Sequence, residues 1–338
     1  MPSLAAIRDA LLIFNPVSGQ RRGARLGQIE RARLILARDG IETELASTGG
    51  PGTASGGATE LARKAIKDGR QMVIACGGDG TLNEVVNGLA GSEMPLALLP
   101  AGTANILAKE LELPWDIEKA AALVAGSQLR RIALGLVISG KGVSGRGASG
   151  KGLSGNGAHG SNAETERYFL SVAGAGPDGA IVYMVHAALK KSVGTLAYWA
   201  EGMRQLGRYS FPRFRVFAGG KTIDATLIVV GRTKHYGGPF RITTEADLYG
   251  DGFELMVCTT RSRLKYLGYL PLLWMGHLRR ARHVHFLKTT TVRCEALGSV
   301  NAYVQVDGEA AGRLPVEFRI VPNALTLAVP PALVNSRR

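Results

Sequence analysis

The stretch Gly77-Gly78-Asp79-Gly80-Thr81-Leu82-Asn83-Glu84 constrains this chain more than any other. An apolar run, Met72 to Cys76, leads straight into it, and a helix-like run, Leu82 to Leu89, follows. Strand, glycine turn and helix start, in that order, deliver a backbone to a phosphate group. Without side chains, Gly77, Gly78 and Gly80 let the main chain approach closely and take up φ > 0. The N–H groups of the helix start then favour an anion. Asp79 sits where a carboxylate can hold Mg²⁺ bridging the phosphates, because that ion prefers oxygen ligands. The pattern predicts a phosphoryl-transfer site.

One glycine-rich turn after a strand is most simply a tight turn, but here there are three such junctions. Leu11 to Phe14 runs into Asn15-Pro16-Val17-Ser18-Gly19. Pro95 to Leu99 runs into Pro100-Ala101-Gly102-Thr103-Ala104-Asn105, which opens a helix-like run, Ile106 to Leu111. In an α/β domain these ends, with their small, hydroxylated and amide residues, converge at one sheet edge.

The spacing of apolar residues extends this picture. Leu11–Phe14, Glu42–Ala46, Met72–Cys76 and Pro95–Leu99 read as strands, alternating with helical runs Ala24–Asp39, Ala58–Asp68, Leu82–Leu89 and Trp115–Ala125. The expected fold class is α/β, with an N-terminal doubly wound parallel-sheet domain. After Arg130 the segments Arg131–Ile138, Arg167–Ala173, Phe214–Ala218, Thr222–Gly231, Glu254–Thr259, Thr289–Cys294 and Ala302–Asp307 read as strands separated by turns. They predict a C-terminal, mostly antiparallel β-sandwich domain, with helical insertions at Ile181–Lys191 and Leu196–Gly207. The expected boundaries are 1–130, 131–322, and a C-terminal segment at 323–338. Ser139 to Ala158 holds four copies of Ser-Gly-x-Gly-x. So much glycine does not recover its ordering entropy, so a flexible insertion is expected at 139–163.

Hydrophobic residues make up 46% and charged residues 20%, which excludes a disordered chain. The three cysteines, Cys76, Cys258 and Cys294, show no metal spacing and suit a reducing cytoplasm. No signal peptide and no membrane span is legible, so a cytoplasmic protein is expected. The net charge is +14, and Arg261 to Arg293 contains eight Lys or Arg and no acidic residue. Tyr266, Tyr269 and Trp274 lie among leucines in that stretch. It reads either as a peripheral contact with an anionic membrane surface or as a buried apolar segment followed by a solvated basic turn.

NPVSG, GGDGTLNEVVNGL and PAGTANILAKEL resemble the diacylglycerol kinase catalytic-domain family, which includes bacterial lipid kinases and sphingosine kinases. The resemblance returns at Gly174–Asp178, Asp251-Gly252 and Val306-Asp307-Gly308-Glu309. It implies an ATP-dependent lipid kinase phosphorylating the hydroxyl of a diacylglycerol-like membrane lipid, with ATP and Mg²⁺ as cofactors. Gly77, Gly78, Asp79, Gly80, Thr81 and Asn83 would form the phosphate cradle, with Asn15, Pro16, Ser18, Gly19 and Thr103 flanking it. Thr48 is a further nucleotide contact by resemblance. The chain end is implied to pack back on the first domain.

Asp307 and Glu309 are expected to project to the same side across a glycine. Two carboxylates this close repel, so one holds its proton more tightly and suits a general base. Either of them can be the base, the other orienting it or joining the metal network. The resemblance also implies a structural divalent metal in the loop Ala246 to Phe253, with Asp251 as ligand and the carbonyls of Leu248 and Phe253 beside it. Asp178 falls near a family motif, but Pro177 and Gly179 depart from it, and no catalytic role is assigned there. An NAD kinase-like or other soluble-acceptor kinase remains an alternative, since GGDGT is shared with that family. A non-catalytic nucleic-acid-binding protein on a kinase fold is another. It accounts for the charge, but no recognition motif accompanies it, and no nucleic acid is expected as partner.

Overall fold

The computed structural model describes residues 7–16, 18, 25–49, 57–140, 165–180, 182, 209–237, 240–298 and 302–331. The chain divides into two compact units. Residues 1–134, 248–250 and 321–338 form the first, and residues 135–247 and 251–320 the second. The Ser-Gly repeat from residue 141 on and the helical insertions expected between 181 and 207, save Val182, lie outside the described residues.

The first unit alternates strand and helix: β1 (Asp9–Phe14), α1 (Arg25–Arg38), β2 (Glu42–Ser47), α2 (Ala58–Lys67), β3 (Met72–Gly77), α3 (Asp79–Leu89), β4 (Pro95–Pro100), α4 (Ile106–Glu110) and α5 (Ile117–Ala121). The strands β2-β1-β3-β4 are parallel neighbours in that order. The central strand β3 is buried along its whole length, which is why its sequence runs apolar without alternating. One sheet face, with Leu12, Ile74 and Leu99, packs under Ile29 and Leu36 of α1 and Ile117 of α5. The alternate residues Leu11, Val73 and Leu98 are buried too, and α2 and α3 pack against each other. Helices on both faces make this a doubly wound sheet.

The second unit is built from β5 (Gln128–Ser139, which begins in the first unit), β6 (Thr165–Phe169), β7 (Val172–Ala175), β8 (Phe214–Ala218), β9 (Lys221–Ala225), β10 (Leu227–Gly231), β11 (His235–Gly237), β12 (Phe240–Arg241), β13 (Phe253–Cys258), α6 (Arg263–Trp274), β14 (Val284–Thr289), β15 (Thr291–Ala296), β16 (Tyr303–Val306), β17 (Glu309–Arg313) and β18 (Val316–Val329). One sheet runs β14-β13-β10-β7-β16-β17, antiparallel throughout. A second layer holds β9-β8-β15 with the first half of β18, and β5 pairs with β6. Phe169, Phe214, Phe253 and Phe318, none more than 2% exposed, fill the space between the layers. Phe169 stacks on Phe253 at 5.7 Å and meets Phe318 edge-on at 6.2 Å. The second half of β18 leaves the sandwich and pairs in parallel with β4 in the first unit.

Two predicted strands are each divided in the structure, and for one reason. Arg167–Ala173 becomes β6 in one sheet and β7 in the other, and Thr222–Gly231 becomes β9 and β10 in the same way. The chain changes layers at Leu170-Ser171 and at Thr226. Both stretches read as one apolar run because strands on either side of a sandwich bury residues toward the same core. At Thr226 the hydroxyl donates to the Cys258 and Thr260 carbonyls, at 3.1 and 2.7 Å. Phe169→Ala removes the ring that stacks on Phe253 and meets Phe318 edge-on. It is expected to destabilise the protein by about 3–5 kcal/mol, read as a lower urea midpoint with unchanged slope.

Candidate functional site

The three motif-bearing strand ends come together at the carboxyl edge of the parallel sheet. The Ala101 amide donates to the Gly77 carbonyl at 2.9 Å, and the Asn15 amide to Cys76 at 3.3 Å. The Thr48 amide donates to Phe14 at 2.9 Å, so the β2 end joins the same edge. Asn15 Nδ2 lies 3.5 Å from Thr81 Oγ1. The Ser18 amide closes a turn on the Asn15 carbonyl at 3.2 Å, with Pro16 in that turn. Gly19 lies outside the described residues.

The glycines work by closeness rather than by unusual dihedrals. None of Gly77, Gly78 and Gly80 adopts positive φ, and Gly78 sits at φ −92°. A Cβ on Gly102 would stand 2.4 Å from Gly78 Cα, and one on Gly78 would stand 3.2 Å from Gly102 Cα. The two loops therefore touch backbone to backbone. The left-handed position belongs to Asn105, at φ 45°. Its Oδ1 accepts from the Gly102 amide at 2.9 Å and its Nδ2 donates to the Gly102 carbonyl at 3.1 Å, which closes the second loop on itself.

The helix after the glycines begins at Asp79, earlier than the apolar pattern predicts, because Asp79, Gly80 and Thr81 form its first turn. A carboxylate there complements the helix N-terminus. Asp79 Oδ1 also accepts from the Ile106 amide at 2.7 Å, which caps the start of α4 from outside. Asp79 thus ties the two glycine loops into one surface. Thr103 is exposed on that surface, Thr81 is largely buried, and Asn83 points inward, bonded by Asn87 Nδ2 at its carbonyl, 2.9 Å away.

Sequence reasoning missed Arg25. Its Nη2 donates to the Ala101 carbonyl at 3.1 Å and lies 3.4 Å from that of Ser18, bridging two of the loops, and the residue is 9% exposed. It lines a cavity of about 290 Å³ with Gln28, Gly102, Trp115 and Asp116. The basic run around it carries no periodic signal that singles out one arginine. It is a cation at the sheet edge where the two glycine loops meet.

In the second unit the Asp-Gly pair is a hairpin turn. Asp307 (φ 47°) and Gly308 (φ 82°) are its two central residues, and Val306 pairs with Glu309 across it. The predicted strand therefore ends at Val306. The Asp307 carboxylate accepts from the amides of Leu170, Ser171 and Val172 at 2.8, 2.9 and 2.9 Å. These amides are the ones released where the chain changes sheets. Asp307 is thereby fixed and 8% exposed. Glu309 is only part-buried, and Arg167 donates to its Oε2. The two carboxylates are compensated separately, one by amides and one by a guanidinium.

Asp178 lies half-buried beside this turn. Gln305 Nε2 donates to its Oδ2 at 2.7 Å while Gln305 Oε1 accepts from the Gly308 amide at 2.9 Å, so the chain of bonds runs from Asp178 to the turn. Tyr236 donates to the other oxygen. Burial pushes the Asp178 carboxyl up to about 7, with the Gln305 bond opposing. It supports the turn without touching Glu309.

The loop expected to hold a metal carries its own cation. Arg232, fully buried, donates through Nη1 to the carbonyls of Gly252 at 2.9 Å and Asp247 at 3.3 Å. Burial lowers its guanidinium to about 10, against the pull of Asp247 and Asp251, so it stays charged at neutral pH. Asp251 is exposed, whereas Leu248 and Phe253 are buried. Arg232 thus sits beside the set expected for a divalent ion, bonding the carbonyls of Asp247 and Gly252 next to Asp251, Leu248 and Phe253.

Residues 9–137 match the diacylglycerol kinase catalytic domain, and residues 171–329 match the YegS C-terminal NAD kinase beta sandwich-like domain. Residues 9–137 thus carry a diacylglycerol kinase catalytic domain. The enzyme class that goes with this domain is lipid kinase. A Bacillus subtilis (strain 168) protein named diacylglycerol kinase is 29% identical over 92% of this chain and 93% of its own length. One of the same name from Staphylococcus aureus (strain bovine RF122 / ET3-1) is 27% identical over 97% and 94%. Among solved structures, one described as a diacylglycerol kinase from Bacillus anthracis strain Sterne has a TM-score of 0.66 at 18% identity, covering 97% of this chain and 98% of that one. Another from that strain reaches 0.72 at 19% identity, covering 97% and 99%. At that identity the likeness speaks for the fold.

Two outcomes test this geometry. Gly102→Ala places a methyl against Gly78 and is expected to raise the KM for ATP at least tenfold, in steady-state kinetics, with the β-sandwich intact by near-UV dichroism. Arg232→Met strips a donor from two carbonyls and is expected to cost about 2 kcal/mol or more.

Proposed function

We propose that this protein transfers the γ-phosphoryl group of ATP to the hydroxyl of a diacylglycerol-like lipid at a membrane surface. The observation that carries the nucleotide half is the joining of two glycine loops by Gly78–Gly102 contact and by the Asp79 bond to the Ile106 amide. Such a surface offers backbone N–H groups and no obstructing side chains to a polyphosphate. ATP arrives with Mg²⁺ as part of the substrate, which neutralises phosphate charge. Arg25 supports a protein cation beside the same loops.

Glu309 is the proposed general base. Asp307 has three amides on its carboxylate and would lose them on taking a proton, whereas Glu309 keeps a partly exposed side chain oriented by Arg167. Asp307 is then a positioning residue that sets the turn from which Glu309 projects. The names of the curated relatives support diacylglycerol as acceptor. The match of residues 171–329 to a domain described as NAD kinase beta sandwich-like keeps one soluble acceptor, NAD, in view.

The test is transfer from γ-labelled ATP to diacylglycerol, phosphatidylglycerol, sphingosine or ceramide in mixed micelles, with NAD as soluble acceptor. Label on diacylglycerol is the expected result; label on NAD alone would overturn the lipid assignment. Glu309→Gln is expected to lower kcat by about 10²-fold or more with little change in the KM for ATP or in melting temperature. Asp307→Asn offers one acceptor oxygen where two are used. It is expected to lower both kcat and stability, the latter by about 1–3 kcal/mol.

A further inference from the structure

A helix packed on a core by one face ordinarily turns polar residues to water on the other. The helix α6 does not. Its inner face, with Tyr266 buried and Tyr269, Leu272 and Leu273 beside it, packs against Met256 and Cys258 of β13. Its outer face carries Leu264, Leu267, Pro271 and Trp274, spaced so that all four fall on one stripe. Leu264 is 80% exposed, Leu267 45% and Trp274 73%, and the C-cap residue Met275 is 56% exposed. Phe240 lies edge-on against Trp274 at 6.1 Å and widens the patch.

Charge frames the stripe. Arg263 and Lys265 stand one residue before and after Leu264, which places them on opposite flanks of the stripe, and both are exposed. Arg261 precedes the helix and Arg280 and Arg282 follow it, all exposed, with no acidic residue anywhere from 261 to 293. Arg279 is engaged by Glu254 and Glu245, Arg263 Nη2 lies 3.3 Å from the Tyr209 carbonyl and Lys265 Nζ 2.7 Å from His283 Nε2, so of these three only Arg279 is met by carboxylates among the described residues. Leucine and tryptophan facing outward between arginines and lysines fit the boundary between headgroups and acyl chains. Among the described residues no helix is long and apolar enough to cross a membrane, so this contact would be peripheral.

We propose that the Leu264–Leu267–Trp274 face of α6 is the surface by which the protein docks on anionic phospholipid bilayers. The apolar stripe enters the interface and the flanking cations meet lipid phosphates. The proposal rests on the lipid-kinase reading for its purpose, though the contact is independent of catalysis.

The test is sedimentation of the full chain with vesicles of phosphatidylcholine alone or with about 30 mol % phosphatidylglycerol, without ATP or diacylglycerol. The expected result is binding to the anionic vesicles that weakens as salt rises. The pair Leu267→Ser with Trp274→Ser is expected to lower the partition coefficient about tenfold or more. Far-UV dichroism checks that the variant is folded, and its turnover in mixed micelles is expected to stay near wild type. Vesicle binding undiminished in the variant, or no binding by the wild type, would overturn the proposal. So would loss in the variant of self-association without vesicle binding, which would assign the stripe to a second copy of the chain. Failure of lipid phosphorylation in micelles with vesicle binding still lost in the variant would sink the kinase reading alone.

Discussion

A backbone amide that leaves a helix or a ladder must find another acceptor, and in each unit an aspartate supplies it. Asp79 accepts from Ile106 at the start of α4, and Asp307 accepts from three amides freed where β6 gives way to β7. Each bond fixes a loop that the elements alone leave undetermined. The glycine loops of the first unit are held in register by Asp79, and the turn that bears Glu309 is held by Asp307. Both aspartates are therefore more than chemical groups placed on a finished scaffold, since the scaffold closes through them.

This dual use explains how two neighbouring carboxylates in the sequence come to differ. Asp307 and Glu309 are separated by one glycine, yet the type of turn turns one inward to the amides and leaves the other beside Arg167. Mutual repulsion is answered by separate partners, so environment, not spacing, distinguishes the two. Asp178 and Gln305 extend the same logic beneath the turn, through bonds no strand pattern announces. In the loop at 247–252 a buried arginine, Arg232, bonds two carbonyls, a contact that the sequence pattern does not announce.

Parallel-strand positions were legible because burial on both faces forces an unbroken apolar run, as in Met72–Cys76 and Pro95–Leu99. The junctions after them were legible because only small residues allow two main chains to meet. The division of Arg167–Ala173 was not, because residues that change layers in a sandwich still face one core. The segment that forms α6 was read as either buried or membrane-facing, since leucines and aromatics on every side leave no period to orient it; packing of Tyr266 and exposure of Leu264 and Trp274 give it an inner and an outer face.

By itself, then, the sequence determined the strand-helix alternation and doubly wound class of the first unit, the antiparallel class of the second and the motifs at strand ends. These follow from local periodicity and from glycine at points of close approach, which are properties of neighbours along the chain. Tertiary structure alone decided that Arg25 bridges two loops, that Arg232 bonds carbonyls of the loop at 247–252, and that Asp307 is held by amides while Glu309 meets Arg167. Those roles depend on partners as much as 142 residues away, as for Arg167 and Glu309. A side chain's sequence records its chemistry, but only the fold brings an unpaired amide or carbonyl within its reach.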